Sequence, residues 1–446
     1  MLSAGLSLYI RLFPILFVVL FSSLFAYGEY AQNAYSDATE QRISDHVDEE
    51  MQRAISLLEQ AVNINSGSMN FAGVRKMGAL MEQELTQLGF ETSWVDGTPF
   101  GRAGHLVAYR QGSGPKVLLI GHLDTVFPVT SDFQIFEIFD EHFARGPGTT
   151  DMKGGDVVMI QALRALKGTG VLDDISVKVV MTGDEEKSGN PKSLRSAALI
   201  NAGKWADYAV GFEDGDGNPE TAVIARRGSS GWRLKVSGTR AHSSQIFQPE
   251  FGDGAIYETA RILGSFQSRL ASLTNLTYSP GLILGGTDIE HDAATNRGTA
   301  FGKNNVIASA VLVTGDLRAV SLDQLKQARK LMREVVTEHL PKTEASIEFL
   351  DGYPPMSPSD GNYKLLALYN DVSKDLGFGE VLAVDPRKAG AADISFVAND
   401  VLMAMDGVGL MGRGGHTLNE VADLRTLGPQ TKRIAVLLYR LSQLDQ

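Results

Sequence analysis

The chain contains no cysteine. That absence excludes disulfides, a thiolate nucleophile and any thiolate-held zinc, so a bound metal has to be held by histidine and carboxylate. Positive charge is also scarce: 41 Lys and Arg stand against 53 Asp and Glu, a net charge of -12 over 446 residues. This balance argues against a nucleic-acid binder or a basic membrane-surface protein and suits a soluble enzyme. Long apolar runs are missing apart from one, Leu12 to Phe25, which follows Arg11 and leads into Ala26-Tyr27-Gly28. The run falls short of the roughly 20 residues that span a bilayer comfortably, so it reads as an export signal, with an uncleaved anchor as the alternative. Residues 1–28 are therefore expected to be removed, and with no cysteine after the run the chain is not a bacterial lipoprotein. Periplasmic or secreted residence follows, with no membrane contact after cleavage.

What is present has the texture of an α/β enzyme. Helical spacing of Ile43, Val47, Met51, Ile55 and Leu58, and again from Val74 to Leu88, predicts outer helices. Apolar runs of strand length follow at Leu106–Tyr109, Val117–Ile120, Val177–Met181 and Tyr208–Phe212, with helical stretches between several of them. Near-continuous apolar strands interleaved with helices imply a largely parallel sheet covered on both faces. From about Arg227 the pattern changes to the period-two alternation of Trp232-Arg233-Leu234-Lys235-Val236, and two helical stretches and further strands follow up to Leu350. The proline cluster from Tyr353 to Pro358 marks a return linker. The expected organisation is a catalytic domain in two parts (29–226 and 351–446) interrupted by an α/β sandwich with one open face (227–350).

Polar residues of one chemical kind sit just past these strands. His122 and Asp124 follow one, Asp184-Glu185-Glu186 a second and Glu213-Asp214 a third, while Gly412-Arg413-Gly414-Gly415-His416 brings another imidazole. Ligands of open α/β sheets bind outside the carboxyl ends of the strands, where these residues fall. The glycine-rich loop Gly146-Pro147-Gly148-Thr149-Thr150-Asp151 delivers one more carboxylate where an apolar-periodic helix begins. Alone, Asp151 reads equally as a helix N-cap. In company with the other groups it completes a mixed nitrogen and oxygen set suited to catalytic zinc.

These motifs, namely Gly121-His122-Leu123-Asp124, Gly146 to Gly155, Gly183-Asp184-Glu185-Glu186, Phe212-Glu213, and His416 with Asn419-Glu420, together resemble the co-catalytic zinc exopeptidases and aminoacylases. Within that family the resemblance is greatest to the bacterial glutamate carboxypeptidases. It implies two zinc ions per chain, one on His122, Asp151 and Glu213 and the other on Asp151, Glu186 and His416, with Asp214 as a rival ligand. It also implies that Asp124 orients the His122 ring. Gly238-Thr239-Arg240-Ala241-His242 resembles the motif of a lid histidine that reaches into a partner subunit, so a homodimer through the lid is expected.

The chemistry of such a pair can be stated without the family. Two divalent ions about 3.5–4 Å apart acidify a water and polarise a carbonyl. Glu185, next to Glu186 and not needed as a ligand, can then carry the proton to a leaving amine. Asn304-Asn305 and Gly315-Asp316-Leu317-Arg318 resemble the lid segment that grips a substrate's free carboxylate, and Gly390-Ala391-Ala392-Asp393 the loop opposite. Asn305, Arg318 and Gly390 are thus candidate substrate-binding residues, although Asp316 stands close enough to hold Arg318 in a structural pair. The expected reaction is release of a C-terminal residue from a small peptide or N-acyl amino acid. Glutamate-cleaving relatives carry an arginine just before the linker proline where this chain has Tyr353, so a broader or more apolar released residue is expected. An aminoacylase or dipeptidase on the same metals, or a non-catalytic binding protein, are the competing readings.

Overall fold

The structure is a computed structural model that describes residues 38–444, so the signal segment read above lies outside the described residues. Three neighbouring strands of the central sheet lead into the polar cluster. The sheet's order is Glu91–Asp96, Gly104–Arg110, Ser176–Thr182, Lys116–His122, Tyr208–Gly211, Met403–Met405. The pairings among the last four strands are parallel, and the two that add the first strands are antiparallel. His122 lies opposite Thr182 and Ile120 opposite Gly211, so the strand ends that precede Glu185 and Glu213 open on one edge beside His122.

The alternation of strand side chains feeds two cores. Val117, Leu119, Val177, Val179 and Met181 point into a large cluster with the helices Ala38–Glu49, Met51–Val62, Phe71–Gln87, Lys153–Gly168 and Leu427–Ser442. Leu118, Ile120 and Val180 point the other way, onto Ala197–Trp205 and the loop carrying Ile394 and Val397. The helix Lys153–Gly168 approaches the strand ends closely: a Cβ on Gly155 would sit 1.9 Å from the carbonyl oxygen of Phe212. Only glycine permits that packing, and it keeps the Asp151 loop against the Glu213 turn.

The second sheet is antiparallel throughout, in the order Thr277–Gly286, Ala310–Ala319, Gly228–Gly238, Thr343–Asp351. One face buries Trp232, Leu234, Val236, Val311 and Val313 under the helices Gly254–Leu270 and Leu322–Thr337, leaving Arg233 and Lys235 on the open face. A hairpin of Asp288–Asp292 and Arg297–Phe301 was not legible as strands, because its residues are mostly exposed and carry no regular apolar alternation. Two adjacent segments join this lid to the catalytic sheet. Arg226 pairs with Met356 as an isolated antiparallel bridge, and the Ser229 N–H donates to the Tyr353 carbonyl at 3.0 Å.

Candidate metal centre

Asp151 sits two residues before the helix Lys153–Gly168, whose cap residue is Met152 and has no side-chain capping bond. Its carboxylate is turned instead toward two imidazoles. Oδ1 is 3.0 Å from His122 Nε2 and Oδ2 is 2.9 Å from His416 Nε2. On the first side Glu213 Oε1 stands 3.6 Å from His122 Nε2, and on the second Glu186 Oε2 is 3.1 Å from His416 Nε2. The N-cap reading of Asp151 is thereby set aside: one carboxylate faces two nitrogen and carboxylate pairs, one on each of its oxygens.

The charges in this cluster are arranged for a cation. Burial and the Asp151 charge push Glu213 well above the usual carboxylate range, and burial, Asp393 and Glu186 do the same to Glu185. Burial opposes a charge on His122, yet its hydrogen bond to Asp151 and the charges of Glu213 and Asp151 raise it well above the ordinary imidazole value. Hydrogen bonds to Asp151 and Glu186 raise His416 to about 11. The buried Glu186 Oε1 has no hydrogen-bond partner among the described residues. Closely spaced carboxylates, imidazole nitrogens aimed at them and an orphaned carboxylate oxygen fit divalent metal ions with borderline ligand preference. His122, Asp151 and Glu186, and likewise His122, Glu185 and Glu213, each offer ligand atoms within 4.8 Å of one another.

Each group is held from behind. Glu420, buried and four residues from His416, accepts from the N–H groups of Gly148 at 3.0 Å, Thr150 at 2.8 Å and Asp151 at 3.2 Å. Gly148 has a φ of +79°, a left-handed value that glycine adopts without strain and that turns its N–H onto Glu420. His416 also takes a positive φ, +62°, a strained backbone for histidine of the kind functional sites retain. Asp406 accepts from the Glu213 N–H at 3.3 Å while paired with Arg226 at 2.8 Å. Asp214 lies toward Thr150 and forms no part of the two groupings above.

Asp124 departs from expectation. The His122 Nδ1 faces the backbone carbonyl of Asp124 at 3.0 Å, whereas the nearer carboxylate oxygen stands 3.6 Å away. The carboxylate is claimed by the Ser68 hydroxyl at 2.6 Å and by the N–H groups of Glu185 at 3.0 Å and Glu186 at 3.2 Å. Asp124 therefore orients the ring through its main chain and uses its side chain to fix the Glu185-Glu186 turn. That turn is supported further by Asp184, whose carboxylate accepts from Arg195 Nε at 2.9 Å, while Arg195 also pairs with Asp393 at 2.6 Å.

The lid residues fall into two places. Arg318, beside Ser229 near the hinge, donates from Nε to Asp316 Oδ2 at 2.8 Å. Asn305 lies at the opposite end of the lid, where its carbonyl accepts from the Ser243 N–H at 2.9 Å next to exposed His242. Between Ala310 and Arg318 the strand runs roughly 27 Å at about 3.4 Å per residue. A joint grip of one carboxylate by Asn305 and Arg318 of the same chain is ruled out by that separation. Gly390 is exposed, its carbonyl accepts from Arg226 Nη1 at 3.0 Å, and none of the described residues lies within 4 Å of where its Cβ would be. Tyr353 proves to be spoken for: its hydroxyl donates to the Glu185 carbonyl at 3.1 Å and lies 3.1 Å from the Ser188 hydroxyl.

Comparison with known proteins agrees with this architecture. The model of peptidase family M20/M25/M40 matches residues 118–440. Carboxypeptidase G2 of Pseudomonas sp. (strain RS-16) is 26% identical over 380 residues, covering 83% of this chain and 84% of that protein. Among solved structures, aminopeptidase PepT of Bacillus cereus superposes with a TM-score of 0.68 at 18% identity, over 88% of this chain and 98% of the other. The Bacillus subtilis YXEP protein, described as a dinuclear metal-binding peptidase, gives 0.59 at 14% identity over 88% and 99%.

Proposed function

The chain belongs to peptidase family M20/M25/M40, and we propose that within it this hydrolytic metalloenzyme is an exported di-zinc exopeptidase. On this reading it releases the C-terminal residue of small peptides or N-acyl amino acids, in the periplasm or outside the cell, as a homodimer through the lid. The observation that carries the metal reading is Asp151, whose two oxygens each face an imidazole. His122, Asp151 and Glu213 would hold one ion and Asp151, Glu186 and His416 the other. The bound pair would supply polarisation of the scissile carbonyl and a water acidified toward neutral pH.

The protein's own groups do the rest. Glu185, next to Glu186 in the sequence, would take a proton from water as its carboxylate and pass it to the departing amine. Asp124 and Tyr353 hold its backbone from both sides. Arg318, near the hinge, would bind the substrate's α-carboxylate with the face of its guanidinium not used by Asp316. Because the Tyr353 hydroxyl is committed to Glu185 and Ser188, this residue offers no charge to a glutamate side chain, which supports a broader or more apolar released residue.

The test is turnover of N-acyl-alanine, N-acyl-leucine and N-acyl-glutamate beside their C-terminal amides, with metal analysis of the active protein. Hydrolysis of acids, indifference to amides, about two zinc ions per chain and loss of activity to a chelator are expected. Equal cleavage of acids and amides would remove Arg318 as the anchor.

A further inference from the structure

Beside the metal cluster, a cleft of about 440 Å³ is lined by Gly67, Met69, Val126, Val129, Glu186 and Lys187, among others. Its volume is that of a small-molecule subsite. Glu186 forms one wall, so whatever enters lies against the reacting centre. The remaining walls come only from the catalytic domain, and three apolar side chains stand open on them: Met69 is 56%, Val126 37% and Val129 63% exposed. Single exposed apolar residues need no explanation, but three converging on one cleft next to a catalytic cluster do.

Several polar atoms of the cleft are already engaged. The Ser68 hydroxyl donates to Asp124, and the Asn70 amide donates to the Asn65 carbonyl at 2.9 Å while its oxygen caps the helix at Gly73. The Thr125 N–H and carbonyl pair with Ser66 and Ser68, and the Pro128 carbonyl accepts from Gln134 at 3.1 Å. The lining is thus mostly carbon, with one cation, Lys187, and one carboxylate, Glu186, among the described residues. A free α-carboxylate would meet the repelling carboxylate of Glu186 beside the single cation Lys187, which disfavours this cleft as the place of the released residue.

We propose that the cleft is the subsite for the acyl side of the scissile bond and that it takes an aliphatic acyl chain. The inference rests on the reading of the chain as an N-acyl amino acid or peptide hydrolase, and its test separates the two. N-acetyl-, N-butanoyl-, N-hexanoyl-, N-octanoyl- and N-succinyl-alanine are compared by kcat/KM, and the same compounds are titrated calorimetrically into metal-loaded Glu185→Gln protein. Both kcat/KM and affinity should rise about three- to fourfold per methylene over the first few carbons, with an increasingly negative heat-capacity change. Val129→Asp should lower the octanoyl-to-acetyl ratio about tenfold by setting a charge against the chain. A series flat in both measurements overturns the subsite. So does a preference for succinyl over hexanoyl that disappears in Lys187→Gln, which would make the cleft a reader of acidic acyl groups. Failure of the whole panel to turn over counts against the proposed activity alone, because the calorimetric series still decides what the cleft binds.

Discussion

The phenol of Tyr353, in the lid hinge, donates to the main-chain carbonyl of Glu185 at 3.1 Å. The ring lies against Phe396 with centroids 4.9 Å apart and 5.3 Å from the Arg195 guanidinium, so its place is set by packing on a buried ion network. Burial drives the hydroxyl far above the usual phenol range, which keeps it a donor at every working pH. The hinge and the Glu185 turn are therefore joined directly. Tyr353→Phe should keep the ring and the metals and lose the bond, worth about 0.5–1.5 kcal/mol. A fall in kcat of about three- to tenfold with little change in KM is expected. An unchanged kcat would show that the turn holds without the phenol.

Glu420 joins the His416 loop to the Asp151 loop through three backbone N–H donors. Burial raises its carboxyl while those bonds lower it, and both effects mark a group whose acceptor capacity is in use. Glu420→Gln keeps the shape but turns an NH₂ toward an N–H. Loss of about 1–3 kcal/mol of stability is expected from the donor left unpaired, together with about 10- to 100-fold weaker metal binding. Chemical denaturation and competition with a metal-binding dye measure the two effects separately. A stability loss without any change in metal affinity would confine Glu420 to a structural role.

His105 offers a pH test away from the metals. Its Nδ1 accepts from the Gly183 N–H at 3.2 Å and its Nε2 lies 2.9 Å from the Arg195 carbonyl, which defines a neutral ring with the proton on Nε2. Burial lowers its pKa, outweighing the raising effect of Asp184. A group depressed in the folded state stabilises the fold above its unfolded pKa, about 6.5 for histidine, and that contribution drains away as pH falls below it. Metal-loaded protein should therefore lose stability on descending from about pH 6.5, and the His105 ring should keep its Nε2–H tautomer by NMR through that range. Titration of His105 at an ordinary histidine pKa would contradict the buried neutral ring.

Most of the site residues that were legible in sequence lie within a few residues of an element with clear apolar periodicity; His416, beside the two-residue strand Gly412–Arg413, was read from its glycine-rich motif instead. His122, Glu185 and Glu213 follow strands whose unbroken apolar runs mark a sheet covered on both faces, so the edge they occupy follows from the fold class. The supporting contacts were not legible, because they form across the chain. Glu420 is 269 residues from Asp151, and Asp406 is 193 from Glu213. Nothing in local spacing sets the Asp124 carboxylate on the Glu185 turn instead of the His122 ring; that choice depends on Ser68, which arrives from another loop. Short strands such as Glu137–Asp140 and Val421–Asp423 are too brief to show a period. The distance between Asn305 and Arg318 likewise became visible only with the register of the lid sheet.

That distance bears on His242. The ring uses Nδ1 on Ser244, 2.8 Å from its hydroxyl, and sits beside Val306 at the lid's far end. Gly228–Gly238 separates that end from the hinge by roughly 33 Å at about 3.3 Å per residue. Rotation about a hinge leaves distances from the hinge unchanged, and the Glu185 turn touches the hinge through Tyr353. Closing the lid therefore does not bring His242 to the metal cluster of its own chain. If it donates to the developing oxyanion, it does so in a partner, together with Asn305. Mixing Glu185→Gln chains with His242→Ala chains should restore activity, because each mixed dimer holds one site with both groups. With random exchange about a quarter of wild-type activity is expected, two-fold symmetry giving one working site in half the dimers. Each parent alone should stay low. Verified mixed dimers without recovery would leave His242 a surface residue and remove the partner subunit from the reaction.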